Sequence, residues 1–305
     1  MSKNDTRALR ELPRYIYGTT RLGDESLSLQ QRRDIADKAM ASCTWFHVSE
    51  QYGSALALLG EQFRSSQAPL PRTIFKMEVH SPDEYPELVE RHLQTLGVAS
   101  MDIGQLCLRD RKAADFVDDS DTFEILNNLR SRGKVERYVM EVFPWTANIA
   151  LHAIESGCLD DLVEGLIFYF NPLQRFASNA LWSQIQERQI PVIAMRSVCG
   201  ARVHDLRDIP GVAWQPYLQQ RAAEVAPIFE RSGESDWARF CLRYVLNHPF
   251  VRASVGATAN AENLKHLQDA AETATPLPEE TVEELANLQH RWAEGTDAQA
   301  RPWSM

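Results

Sequence analysis

The chain has 305 residues, 44% hydrophobic and 24% charged, an ordinary globular composition with length enough for a full core. A net charge of −10 argues against a nucleic-acid partner, whose phosphates need a basic face, but leaves room for a local basic pocket. The five cysteines, Cys43, Cys107, Cys158, Cys199 and Cys241, are scattered, with no CxxC or zinc spacing, so no metal site is expected and they read as reduced thiols of a cytoplasmic protein.

Short apolar runs alternate with longer amphipathic ones. In chain order the strand candidates are Tyr15–Gly18, Thr44–Val48, Thr73–Val79, Met101–Leu106, Val135–Val142, Leu162–Phe168, Pro191–Met195 and Val251–Val255. Helical patterns lie between them: Leu27–Ser42, Ser54–Arg64, Pro82–Leu96, Asp118–Arg132, Trp145–Ser156, Ser178–Arg188, Gln219–Arg231, Asp236–Asn247, Ala259–Ala271 and Pro278–Arg291. Ser81 followed by Glu84 predicts a capping box, and Gly133 and Gly157 sit where helices end in a left-handed glycine. The N-terminus has no apolar leader core, and no apolar run approaches the roughly 20 residues of a membrane helix, so no membrane partner is expected.

Strands alternating with helices imply parallel strands joined by crossovers, either a doubly wound sheet or a (β/α)8 barrel. No GxGxxG follows an early strand, so the dinucleotide fingerprint of the doubly wound fold is missing. In a barrel the chemistry gathers at the C-terminal strand ends, and His47, Lys76, Cys107 and Glu141 all lie at or near such ends. The expectation is one barrel domain over residues 1–305, with short flexible tails at 1–12 and 294–305. The longest irregular stretch, Val198–Tyr217, has the length of a binding lid or of a surface excursion.

Ordered segments then carry a family resemblance. They are Gly18-Thr19-Thr20-Arg21-Leu22-Gly23, Trp45 to Gly53 with Leu59-Gly60 after it, Phe75-Lys76, and His92-Leu93-Gln94-Thr95-Leu96-Gly97 running into Met101-Asp102-Ile103-Gly104-Gln105-Leu106-Cys107. Gly133-Lys134-Val135, Phe170-Asn171-Pro172-Leu173-Gln174-Arg175, Leu242-Arg243-Tyr244-Val245-Leu246 and Val255-Gly256-Ala257-Thr258 continue the series. Over nearly its whole length the chain resembles the aldo-keto reductases. The resemblance implies a (β/α)8 TIM barrel that binds NADP(H) without a Rossmann domain.

The resemblance also implies a catalytic tetrad of Asp, Tyr, Lys and His. Tyr52 and Lys76 match by position, His47 stands where the family has Asp, and Cys107 where it has His. A phenol titrates near pH 10 unaided, and a neighbouring ammonium eases its ionisation. With His47 for the carboxylate, Lys76 is expected to lack its counter-ion. If it stays charged, Tyr52 becomes a better acid; if it loses its proton, Tyr52 loses that help. Cys107 reads as a small buried side chain more readily than as a ligand-orienting group.

The cofactor positions implied are Gly18, Thr19, Glu141, Asn171, Met195, Arg196, Ser197, Gly256, Ala257, Thr258 and Asn263. Glu141 and Val142 replace the family's carboxamide-binding Ser and Asn, and Ile167 replaces its Gln. Arg196, Lys265 and His266 are the basic residues near enough in sequence to grip a phosphate. The function implied is NADP(H)-dependent reduction of a carbonyl, or oxidation of an alcohol, on a small sugar- or polyol-like substrate. The alternatives are a redox-neutral lyase, dehydratase or epimerase on the same barrel, and a non-catalytic relative.

Overall fold

Runs rich in branched and aromatic residues become strands because they suit a pleated surface buried on both sides. In the computed structural model, which describes residues 9, 11–108, 120–157, 162–199 and 216–294, they are β1 (Tyr15–Gly18), β2 (Trp45–Val48), β3 (Arg72–Glu78), β4 (Met101–Cys107), β5 (Val135–Val142) and β6 (Val163–Asn171). A two-residue strand β7 (Gln174–Arg175), antiparallel to β6, then β8 (Val192–Met195) and β9 (Val251–Gly256) complete the set. Each of the others pairs in parallel with two neighbours, and the β5–β6 and β1–β9 pairings close them into an eight-stranded barrel.

The flanking helices are α1 (Leu29–Ser42), α2 (Ala55–Ser65), α3 (Tyr85–Leu96), α4 (Ser120–Ser131), α5 (Ala147–Ser156), α6 (Asn179–Arg188), α7 (Pro216–Arg231), α8 (Trp237–Leu246), α9 (Ala261–Glu272) and α10 (Glu279–Ala293). Each lays an apolar stripe on the sheet; α8 buries Trp237, Phe240, Tyr244 and Val245. Gly133 and Gly157, both at φ 67°, follow α4 and α5 as their sequence positions predict, and Gly97 ends α3 in the same way at φ 74°. No helix among the described residues is long and apolar enough to cross a membrane.

Three expectations change. Ser81 makes no capping bond; Pro82–Glu84 form a 3-10 turn, and Ser81 turns to Asp83 while Glu84 accepts from the His80 N–H. The prolines at 82 and 86 set this tight entry and delay α3 to Tyr85. A capping box forms instead at Ser28 and Gln31, at the start of α1. The end of the expected N-terminal tail is anchored: Leu9 and Leu12 are buried in the barrel interior because its lower end needs an apolar plug. Strand β6 runs on to Asn171, three residues past the expected Phe168. The expected lid from 198 to 217 and the C-terminal tail lie almost wholly outside the described residues, as does Cys158.

Period-two alternation explains where the chemistry sits. Ile16, Trp45, Ile74, Ile103, Val139 and Ile193 face inward and form an apolar floor. Two residues further along the same strands stand Gly18, His47, Lys76, Gln105, Glu141 and Met195. The polar layer is therefore the next inward storey above a hydrocarbon floor, at the C-terminal mouth. Register agrees, since Lys76 lies beside Gln105 across β3–β4, and Glu141 beside Ile167 across β5–β6.

Candidate active site

His47 ends β2 with its side chain buried, 2% exposed. Its Nε2 lies 2.6 Å from Gln105 Oε1, and its Nδ1 lies 3.4 Å from the Tyr52 hydroxyl. Thr19 braces it from behind, giving both its N–H (3.1 Å) and its hydroxyl (2.9 Å) to the His47 carbonyl. Tyr52 rides on the loop after β2. Gly23 packs flat against that loop, where a Cβ would fall 1.7 Å from the Tyr52 carbonyl oxygen. Glycine is required at 23 to let the two backbones meet.

Lys76 has a counter-ion after all. Its Nζ lies 3.5 Å from Glu141 Oε1, with the lysine side chain 11% exposed and the glutamate 1%. The anion missing from β2 is supplied by β5, two strands from the β3 that carries Lys76. The other glutamate oxygen, Oε2, is buried with no hydrogen-bond partner. Cys107 packs beneath this pair, 2% exposed, and its thiol donates to the Gln105 carbonyl at 3.6 Å. Burial, then the Glu141 charge, pushes that thiol well above its ordinary range, so it is an unreactive filler.

The electrostatics follow from burial and this one ion pair. Burial works to neutralise Lys76, but Glu141, followed by Cys107, Tyr52 and Tyr169, more than offsets it and raises Lys76 above its ordinary value. Tyr52 goes the other way from the simple expectation. Burial raises its phenol, Lys76 lowers it, and Tyr169 and Glu141 raise it again, leaving it pushed up to about 12. Burial outweighs the ammonium's help, with Tyr169 and then Glu141 adding to it, so Tyr52 stands at neutral pH as an intact hydroxyl donor. His47 is pushed down to about 4, by burial first, with the Gln105 bond opposing and Lys76 reinforcing. It rests as a neutral imidazole.

That depression carries a stability prediction. A group whose pKa falls on folding holds fewer protons in the folded than in the unfolded state, so its stabilisation is full above about pH 6.5 and is lost as pH falls toward 4. From pH 7 to pH 4 His47 is expected to cost the fold on the order of 3 kcal/mol. Urea unfolding of the wild type and His47→Asn at both pH values measures it as the difference between their two losses; equal losses would refute the buried neutral imidazole.

Two residues of the site were missed in the sequence. Gln105 is two residues before Cys107 on β4, and alternation alone would have turned it inward. Tyr169 lies on the extension of β6, stacks on Phe176 at 4.5 Å, and bears on both Tyr52 and Lys76. The guanidinium of Arg196 lies 4.3 Å above the Tyr169 ring, carried there by a left-handed backbone at φ 49°. A cleft of about 180 Å³, lined by Ser49, Gln51, Glu78, His80 and Leu88 among others, leads to Lys76 from the β2–β3 side.

His47, Tyr52, Lys76, Cys107 and Glu141 are thus brought together. The remaining expected residues spread along two rims. On the β6–β8 rim Asn171 is fully engaged, donating to the Arg196 carbonyl (3.0 Å) and to Gln174, and accepting from the Leu173 N–H (2.8 Å). Ser197 donates to the Ala194 carbonyl (2.9 Å), and Met195 packs into the inner cluster beside Tyr169. On the β1–β9 rim Gly18 lies against Ala257, Gly256 accepts from the Tyr15 hydroxyl (2.8 Å), and the Thr258 carbonyl accepts from the Tyr17 hydroxyl (2.8 Å). Asn263 is exposed, in the first turn of α9, with its N–H on the Asn260 cap (3.0 Å). Lys265 pairs with Asp269 (2.7 Å) and His266 with Asp236 (2.9 Å), so neither basic group is free.

Comparison with known proteins fits this picture. An aldo-keto reductase from Bacillus halodurans (AKR11C1, holo form) superposes with a TM-score of 0.69 at 19% identity, over 91% of this chain and 95% of that one. A Bombyx mori aldo-keto reductase (AKR2E4) in complex with NADP gives 0.65 at 15%, over 92% and 90%. One from Klebsiella pneumoniae in complex with NADPH gives 0.65 at 18%, over 92% of each chain. No curated protein matches the chain in sequence. The model of the aldo/keto reductase family matches residues 14–290, so the chain belongs to that family.

Proposed function

We propose that the chain is a nicotinamide-dependent oxidoreductase that interconverts a carbonyl and an alcohol on a small polar, sugar- or polyol-like substrate. The observation that carries this is the buried Lys76–Glu141 pair beside the Tyr52 hydroxyl. It provides, from a different strand, the charge pair that the family builds with its Asp and Lys. Tyr52 gives its proton to the carbonyl oxygen in reduction and takes the hydroxyl proton in oxidation. Lys76, held in place by Glu141, offers a fixed positive charge to the oxygen that becomes anionic. His47 holds Tyr52, and Cys107 fills the space below. The cleft beside Lys76, lined by Gln51, Glu78 and His80, supports a hydroxyl-rich substrate.

The residues present fit a nicotinamide head at one point. Glu141 Oε2 is a buried acceptor without a donor, and a carboxamide N–H is a donor that would satisfy it. When bound, NADP(H) supplies or accepts the hydride. Gly18, Thr19, Met195, Arg196, Ser197, Gly256, Ala257, Thr258 and Asn263, on or beside the two rims, are the residues we assign to its remaining length, with Asn171 shaping the rim from beneath. The four described cysteines, all unpaired thiols, support work in the reducing cytoplasm.

One observation favours a second reading. Ile167 gives the carboxamide no bond and the Asn171 amide is already engaged, so the same Lys76, Glu141 and Tyr52 could serve redox-neutral proton transfer. Titration with NADPH decides between them. The expected result is a change in nucleotide fluorescence with a dissociation constant in the micromolar range, and its weakening by about tenfold or more in Glu141→Leu. No fluorescence change and no thermal shift would overturn the oxidoreductase reading, and turnover without nucleotide would establish the other.

A further inference from the structure

Behind Tyr52 lie two buried polar side chains, His47, which stands where the family has Asp, and Gln105. The neutral imidazole has a single N–H to assign. Gln105 Oε1, 2.6 Å from Nε2, is an acceptor only, so the proton sits on Nε2. The amide is oriented by its other end, where Nε2 of Gln105 faces Cys107 Sγ at 3.9 Å while the thiol proton goes to the Gln105 carbonyl. Turned over, the amide would press its oxygen on the sulfur. His47 Nδ1 therefore carries a lone pair, and the group 3.4 Å in front of it is the Tyr52 hydroxyl.

We propose that Gln105, His47 and Tyr52 form a proton relay in which Gln105 fixes the His47 tautomer and Nδ1 receives the Tyr52 proton as Tyr52 takes one from a substrate hydroxyl. This rests on the oxidoreductase reading for its substrate, but the tautomer does not. The protons balance: the substrate O–H breaks as a new Tyr52 O–H forms, and the old Tyr52 O–H breaks as Nδ1–H forms. The imidazolium keeps its Nε2–H on Gln105, and oxidation of the carbon is balanced by the nicotinamide named above. Lys76, on β3, is the charged group bearing on His47 and disfavours a resting imidazolium, while Glu141, on β5, is held by Lys76. The relay thus rests with no proton on Nδ1, and the imidazolium formed there is short-lived because burial and Lys76 both return its proton.

Gln105 is a positioning residue, and the test reads the imidazole directly. The full chain is labelled with ¹⁵N-histidine, and His47 is assigned by its loss in His47→Asn. The wild type is expected to show a protonated Nε2 and a bare Nδ1 at pH 7. Gln105→Leu is expected to mix the two tautomers and to lower kcat for alcohol oxidation by about 10-fold to 100-fold, with KM within about twofold. Gln105→Glu, which keeps an acceptor in place, is expected to keep the tautomer and should survive if the leucine variant does not fold. A wild-type Nδ1–H tautomer, or either acceptor-dependent expectation failing in a folded variant, overturns the relay. These spectra need no nucleotide, so a failed NADPH titration is a separate result that bears on the proposed function alone.

Discussion

Tyr52→Phe is expected to fold normally and to lower kcat by about 10²-fold to 10⁴-fold, the range that a positioned proton donor contributes. The hydroxyl it removes lies 3.4 Å from His47 Nδ1 and is also hydrogen-bonded to the Thr20 side chain, two ordinary polar contacts whose loss costs about 1–2 kcal/mol. Because burial and the Lys76–Glu141 pair leave the phenol at about 12, the wild-type rate should also show no alkaline fall that belongs to Tyr52 below about pH 10. Steady-state rates with NADP⁺ against a panel of polyols, and with NADPH against aldoses, measure both. A phenylalanine variant with unchanged kcat would move the proton donor elsewhere in the cluster and remove Tyr52 from the chemistry.

The second large effect is on stability. Lys76→Met leaves Glu141, 1% exposed, without its counter-ion, and a stranded buried charge of that kind costs about 3–5 kcal/mol. Removing the charge as well, in Lys76→Met with Glu141→Leu, is expected to return most of the loss. Chemical denaturation of the wild type, both single variants and the double variant gives the coupling directly. If Lys76→Met is as stable as the wild type, the pair contributes nothing and the account of the mouth's electrostatics falls with it.

The barrel was legible because each of its eight parallel strands announces itself over four or more residues, and because β–α alternation leaves few topologies. The mouth was half legible. His47, Tyr52, Lys76 and Glu141 could be placed at strand ends from the sequence, yet Glu141 looked like a lost cofactor ligand and Lys76 like an orphaned cation. Their meeting is invisible along the chain, since it depends on β3 and β5 turning alternate residues inward across β4. Gln105 stands between them on β4 for the same reason, and it was passed over because a glutamine inside a motif carries no charge to draw notice. Tyr169 was lost to a boundary: the apolar run reads as ending at Phe168, but the strand continues to Asn171 before the chain reverses into β7. Tyr52 was misjudged because the sequence offered the cation but not the burial that outweighs it, nor the added weight of Tyr169 and Glu141.

One tie at the mouth has a temporal meaning. Gln289, on the final helix α10, donates to the Asn171 carbonyl (2.7 Å), and Asn171 in turn secures the turn that holds Arg196 over Tyr169. The barrel wall likewise closes only when β9 reaches β1. A growing polypeptide still tethered to the ribosome therefore owns Tyr52 and Lys76 long before it owns a finished pocket, which has to wait for β9 and α10 to emerge.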